Sequence, residues 1–94
     1  MAETITLNVL TDAGLALEEQ AVSVIAPGEV GYLGMLRNHA PLVTTLKPGM
    51  LKWKRPDGEQ KTAQLGSGLL EVVRNHVTIL TDAVTQLPAE RSAG

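Results

Sequence analysis

Met50-Leu51-Lys52-Trp53-Lys54-Arg55-Pro56-Asp57-Gly58-Glu59 decides the fold class. Leu51 and Trp53 fall on one side of a period-2 pattern and Lys52 and Lys54 on the other, which is how a half-buried strand reads. Pro56-Asp57-Gly58 then makes a tight hairpin turn: Pro presets φ, Asp bonds its own backbone and Gly accepts positive φ. Glu59 to Leu65 returns as the partner strand.

Working upstream, Pro48-Gly49 is a strong turn dipeptide, and Leu42-Val43-Thr44-Thr45-Leu46 before it is β-branched and strand-like. Pro41 fixes its own φ and pushes Ala40 out of the helical region, so Arg37 to Pro41 must turn or extend. Tyr32 to Leu36 reads as extended and Pro27-Gly28-Glu29-Val30-Gly31 as an obligatory loop. Ala21 to Ala26 is a strand, Glu18-Glu19-Gln20 a solvated break, and Leu15 to Leu17 a short strand. Thr11-Asp12-Ala13-Gly14 is a turn, and Thr4 to Leu10 alternates with Ile5, Leu7 and Val9 inward.

Downstream, Gly66-Ser67-Gly68 breaks the chain, and Leu69 to Val73 pairs with Val77 to Thr81 across Arg74-Asn75-His76. About nine short strands with turn signals roughly every 8–12 residues predict an all-β sandwich or flattened barrel. Residues 1–82 read as one domain. Residues 83–94, with weak alternation and Pro88, read as a short irregular tail or linker stump.

The 94 residues are 44% hydrophobic but only 2% aromatic, so the core must be built from Leu, Val, Ile and Ala. With no Cys, disulfides and thiolate chemistry are excluded, which fits a reducing compartment. A net charge of −2 gives no global field favouring nucleic acid or anionic lipid. No apolar run approaches the roughly 20 residues of a membrane-spanning helix. Met1-Ala2-Glu3-Thr4 has neither the basic flank nor the apolar stretch of a secretory signal. Together these predict a protein kept in a soluble compartment, with any membrane association indirect.

No catalytic constellation emerges. Gly66-Ser67-Gly68 lacks the spacing of a nucleophile elbow, and a strand rather than a helix follows it. His39 and His76 are far apart, with no Cys or H-E-x-x-H pattern beside them, so no metal site is expected. Asp12, Asp57 and Asp82 sit in or beside turns, where Asp serves the backbone. The phosphate-cradling G-x-x-x-x-G-K-[ST] loop is absent, and no cofactor is expected. Lys52, Trp53, Lys54 and Arg55 offer one alternative: a small β-barrel holding single-stranded nucleic acid on a stacking aromatic and a cationic face. The acidic balance and the pairing of Trp53 with Leu51 on one face argue instead for a core Trp. His39 in a loop reads either as a backbone-bonding residue or as part of a shaped partner surface, to which nearby Tyr32, Met35 and Arg37 add residue types enriched at interfaces.

Gly31-Tyr32-Leu33-Gly34-Met35-Leu36-Arg37-Asn38-His39-Ala40-Pro41-Leu42, Leu46-Lys47-Pro48-Gly49-Met50, Leu65-Gly66-Ser67-Gly68-Leu69-Leu70-Glu71-Val72 and Val77-Thr78-Ile79-Leu80-Thr81-Asp82 together closely resemble the epsilon subunits of F-type ATP synthases. The family pattern runs G-x-L-G-I-L-P-x-H-A-P-L, K-P-G, L-S-G-G-I-L-E-V and V-T-V-L-A-D, and the likeness extends from about Thr4 to Asp82. Arg37 stands where the family often has Pro, and Ser67 replaces one of its paired glycines.

The resemblance implies a ten-stranded β-sandwich, one strand more than the count above. It implies a non-catalytic rotor subunit at the foot of the central stalk that joins the gamma subunit to the c-ring and helps couple ion flow to ATP synthesis. Carried over by position, the gamma-facing residues are Thr11, His39, Ala40, Pro41, Leu42, Thr44 and Met50. The c-ring-facing residues are Pro27, Gly28, Glu29, Val30, Gly31, Tyr32 and Leu33. The implied location is the cytoplasmic face of a bacterial inner membrane or, alternatively, the stromal face of a thylakoid. Many members continue into a C-terminal helical hairpin that inhibits ATP hydrolysis. The sequence ends at Gly94 before such a hairpin, so no hairpin-mediated inhibition is expected.

Overall fold

The computed structural model describes residues 4–88. They form ten strands: β1 (Ile5–Thr11), β2 (Gly14–Ala21), β3 (Ser23–Gly28), β4 (Gly31–Leu36), β5 (Leu42–Leu46), β6 (Gly49–Lys54), β7 (Gln60–Leu65), β8 (Gly68–Val73), β9 (His76–Thr81) and β10 (Val84–Gln86). One set runs β4-β3-β6-β7-β10 (sheet I) and the other β5-β8-β9-β1-β2 (sheet II). They meet at a corner where Gly28 of β3 pairs with Leu46 of β5. All pairings are antiparallel except β1 with β9, which brings the chain's first and ninth strands side by side.

The alternation read from the sequence sets the core. Leu51, Trp53, Val24, Ala26, Met35, Ala63 and Leu65 of sheet I form one buried cluster with Ile5, Leu7, Val9, Leu70, Val72, Val77 and Ile79 of sheet II. Trp53 is 1% exposed, and its indole N–H has no hydrogen-bond partner, so packing alone holds it. The Pro56-Asp57-Gly58 turn forms as expected, with Gly58 N donating to the Arg55 carbonyl (2.9 Å) and Glu59 N to Asp57 Oδ1 (2.9 Å). Gly58 sits at φ 92°, which an L side chain rarely adopts.

Three segments differ from the sequence reading. Glu18-Glu19-Gln20 is no break: β2 runs through it, pairing Asn8 with Glu18, Leu7 with Glu19 and Thr6 with Gln20. As β2 is the edge of sheet II, its backbone pairs on one side while Glu18 and Gln20 stay exposed. Glu19 points to the core side between Leu17 and Ala21, and there Arg55 Nη1 donates to its Oε1 at 2.7 Å. That ion pair ties the open edge of sheet II to the hairpin of sheet I, and a charge facing inward also protects an edge from pairing with another chain.

Pro27 and Gly28 belong to β3 rather than to the loop. Pro lacks only its N–H, and its carbonyl still accepts from Lys47 N at 3.0 Å. Finally, the sheet continues past Asp82. Val84–Gln86 pairs with β7, and Leu87 N extends the ladder to the Thr62 carbonyl at 3.0 Å. Of the expected tail, residues 89–94 lie outside the described residues.

Candidate partner interface

A sheet with one wet face should show polar residues at its outward positions. Sheet II does so at Asn8, Glu18, Glu71 and Thr78, but one row across it is apolar. Register places Leu69 opposite Leu80, Leu80 beside Leu10 and Leu10 opposite Leu15, one leucine from each of four neighbouring strands. Leu80 is 52% exposed, Leu69 46% and Leu15 57%; Val43, one row along on β5, is 68% exposed. Leu10, Leu69 and Leu80 line a shallow depression of about 490 Å3 that also takes in Thr11, Asp12 and Asp82. A second depression lies between Val43, Leu69, Glu71 and Leu80. The result is an apolar surface with carboxylates around it.

Thr11 sits at one end of this sheet, its Oγ1 accepting from Ala13 N at 3.1 Å. His39, Ala40 and Pro41 lie at the other end, and a built clasp holds them there. After β4, His39 N donates to the Leu36 carbonyl (3.2 Å) and Asn38 adopts φ 69°. The Asn38 N–H donates to Asn75 Oδ1 at 2.6 Å, and Asn75 Nδ2 donates to Asn38 Oδ1 at 3.5 Å. Arg74 and Asn75 have φ 49° and 63°, the pair of positive angles of a two-residue hairpin turn that matches strand twist. His39 Nδ1 lies 2.7 Å from the Ala40 carbonyl, so it bears the proton and donates. The backbone-bonding reading of His39 therefore holds, while Ala40 and Pro41 beside it are exposed.

Leu42 is half-buried and packs against the core. Thr44, opposite the buried Leu70, shares that inward side, so the outward residues of β5 are Val43 and Thr45. Met50 lies on the other sheet: it alternates outward with Lys52, and its N–H donates to the Tyr32 hydroxyl at 3.4 Å. Thr44 and Met50 thus do not share the surface that carries Thr11 and His39. The leucines that dominate that surface escaped the sequence reading. Their signal was present in Leu69-Leu70-Glu71-Val72-Val73, which is apolar on both sides of the alternation.

The turn joining β3 and β4 is a second exposed feature. Pro27 and Gly28 are buried, Leu33 is half-buried, and Glu29, Val30, Gly31 and Tyr32 are exposed. A Cβ on Gly28 would come within 2.7 Å of the Gly31 carbonyl oxygen, so only Gly fits there.

The nucleic-acid alternative loses its parts. Trp53 is buried and cannot stack on a base, and Arg55 is engaged by Glu19, with Asp57 and Glu59 each 3.8 Å away. Gly66-Ser67-Gly68 is a bend between strands, with the Ser67 carbonyl accepting from Thr81 Oγ1 (2.9 Å) and Asp82 N (3.3 Å). Among the described residues no three His, Cys, Asp or Glu side chains group as metal ligands.

Residues 4–87 match the model of the family described as "ATP synthase, Delta/Epsilon chain, beta-sandwich domain". An ATP synthase epsilon chain from Desulfitobacterium hafniense is 42% identical over 91 residues, covering 97% of this chain and 67% of that relative. One from Moorella thermoacetica is 38% identical over 89 residues, covering 95% and 63%. Among solved structures, a chain of the Euglena gracilis mitochondrial ATP synthase has the same fold, with a TM-score of 0.84, 22% identity and coverage of 92% of this chain and 55% of that one. A chain of the Tetrahymena thermophila enzyme's central stalk and c-ring aligns with a TM-score of 0.67 at 17% identity, covering 85% and 64%. The chain thus spans about two thirds of the relatives it matches and somewhat less of the structural neighbours.

Proposed function

The chain belongs to the ATP synthase delta/epsilon-chain β-sandwich family, and from that premise we propose that it is a non-catalytic rotor subunit of an F-type ATP synthase. Its work is mechanical: it joins the gamma subunit to the c-ring so that ion flow and ATP synthesis turn together. The observation that carries this reading is the leucine row on sheet II. Leu15, Leu69, Leu80 and Val43 are exposed around the half-buried Leu10, a patch that a monomer has no reason to keep and a permanent partner would cover.

The gamma-facing surface is this row, continued over Thr11 at one end and over His39, Ala40 and Pro41 at the other, with Leu42 behind it on the core side. The c-ring-facing surface is the β3–β4 turn at Glu29, Val30, Gly31 and Tyr32. Association with the membrane is then peripheral and runs through the ring, on the cytoplasmic face of a bacterial inner membrane. No described helix is long and apolar enough to cross a bilayer. A stable contact of this kind buries about 1,200–2,000 Å2 or more.

Pull-down from native membranes with a tagged chain tests the reading: gamma and the c subunit should be recovered at stoichiometric yield. Leu80→Asp should lose gamma while Lys52→Asp, on the other sheet, keeps it. Recovery of neither subunit by the unaltered chain would refute the proposal.

A further inference from the structure

The β3–β4 turn combines an exposed apolar apex with an unusually well-anchored base. Val30 is 99% exposed, and Gly28↔Gly31 and Pro27↔Tyr32 pairs close the hairpin beneath it. Nothing in the backbone calls for Val there, since Glu29 and Val30 are not among the residues with positive φ, and β-branched residues are not turn formers. A single exposed aliphatic side chain is ordinary on a protein surface. Here, however, three contacts from the β5–β6 region fix the turn that carries it. Thr45 Oγ1 donates to Glu29 Oε1 at 2.6 Å, Lys47 N to the Pro27 carbonyl at 3.0 Å, and Met50 N to the Tyr32 hydroxyl at 3.4 Å.

Two consequences follow for what the turn can grip. The Glu29 carboxylate is drawn back onto β5, where it positions the turn. The Tyr32 oxygen accepts from Met50, which leaves its proton for an outside acceptor. We propose that this turn binds its partner by inserting Val30 into an apolar recess, with Tyr32 donating a hydrogen bond at the rim, and that Glu29 is a positioning residue and makes no ion pair across the contact. The partner surface it fits is an aliphatic-lined depression with a carbonyl or carboxylate oxygen beside it, rather than a basic loop. Held in its bound shape before contact, the knob loses little conformational entropy on docking.

The inference rests on the reading of this turn as ring-facing, and the experiment separates the two. The full chain, assembled with gamma, is titrated onto the detergent-solubilised c-ring of the same enzyme at 50 and 500 mM KCl (chosen salt values spanning roughly a threefold change in Debye length). Val30→Cys carrying a benzophenone reports, by photo-crosslinking, what the apex faces. Expected are a crosslink to the c subunit, affinity that changes less than about twofold with salt, a loss of at least about tenfold for Val30→Asp, and retention for Val30→Leu and Glu29→Gln. Each variant's melting curve should match the unaltered chain, since the apex touches no core residue.

A crosslink to the ring with full affinity in Val30→Asp would overturn the knob and leave the ring-facing reading standing. Glu29→Gln losing as much as Val30→Asp, with affinity falling steeply in salt, would establish an ionic grip and also overturn it. Absence of any ring crosslink from a chain that still holds gamma would remove both.

Discussion

The two outer faces of this sandwich are made from strands of the same kind but serve water differently. On sheet I the outward positions hold Lys52, Lys54, Gln60 and Gln64; its apolar residues there are Leu36 and a small group, Ile25, Tyr32 and Met50, that lines one depression with Lys52. On sheet II the outward positions of β1, β2, β8 and β9 converge on Leu10, Leu15, Leu69 and Leu80, with Val43 on β5 beside them. Inward, both sheets are apolar and close on one cluster. Folding is therefore indifferent to the contrast. It lies in residues the core does not need, which is where a partner's demands can be written without loss of stability.

Substitutions that spare or destroy the contrast should differ in size and in kind. Trp53→Ala removes the largest fully buried side chain and should cost about 3–5 kcal/mol of unfolding free energy, read by urea denaturation; it would weaken both faces alike by weakening the fold. Leu80→Asp and Leu69→Asp should leave the unfolding free energy from urea denaturation within about 1 kcal/mol, as surface changes do. Each should cost about 2 kcal/mol or more of gamma affinity by calorimetry. Equal losses from Lys52→Asp would erase the distinction between the faces.

Smaller effects sharpen the picture at the ends of sheet II. Asn75→Ala removes the acceptor of the Asn38 N–H and puts a Cβ-bearing residue without a local polar side chain at φ 63°, so about 1–2 kcal/mol should be lost. Asn75→Gly restores the angle without the bond and should recover part of this. Hydrogen exchange at residues 37–41 should quicken in both, which would tie the clasp to the His39–Pro41 segment. Least affected should be Arg55→Met or Glu19→Gln. The pair is partly exposed, so a double-mutant cycle should give a coupling of about 1 kcal/mol or less, diminished by salt.

Much of this was legible in the chain. Period-2 alternation placed Ile5, Leu7, Val9, Leu51 and Trp53 inside, and the Pro56-Asp57-Gly58 turn placed their strands, because both signals are local and every residue carries its own share. The errors fell where one residue type suits two settings. Glu18-Glu19-Gln20 looks like a break because it is polar, yet an edge strand tolerates polar residues on both sides. Pro27 looks like a stop, yet its carbonyl still pairs. Val84–Gln86 is too short to declare itself and becomes a strand only because β7 has a free edge.

By itself, then, the sequence determined an all-β body, its turns and its inward residues, and its blocks resembled those of a known family. Tertiary structure alone decided which strands are neighbours, and so which outward residues become one surface. Leu10, Leu15, Leu69 and Leu80 are scattered along the chain and meet only through the parallel β1–β9 pairing and its flanking hairpins. The same holds for Asn38 and Asn75, Glu19 and Arg55, and Glu29 and Thr45. The physical reason is range. Backbone preference and alternation act over a few residues, whereas a shared surface depends on register between strands that only the collapsed core brings together.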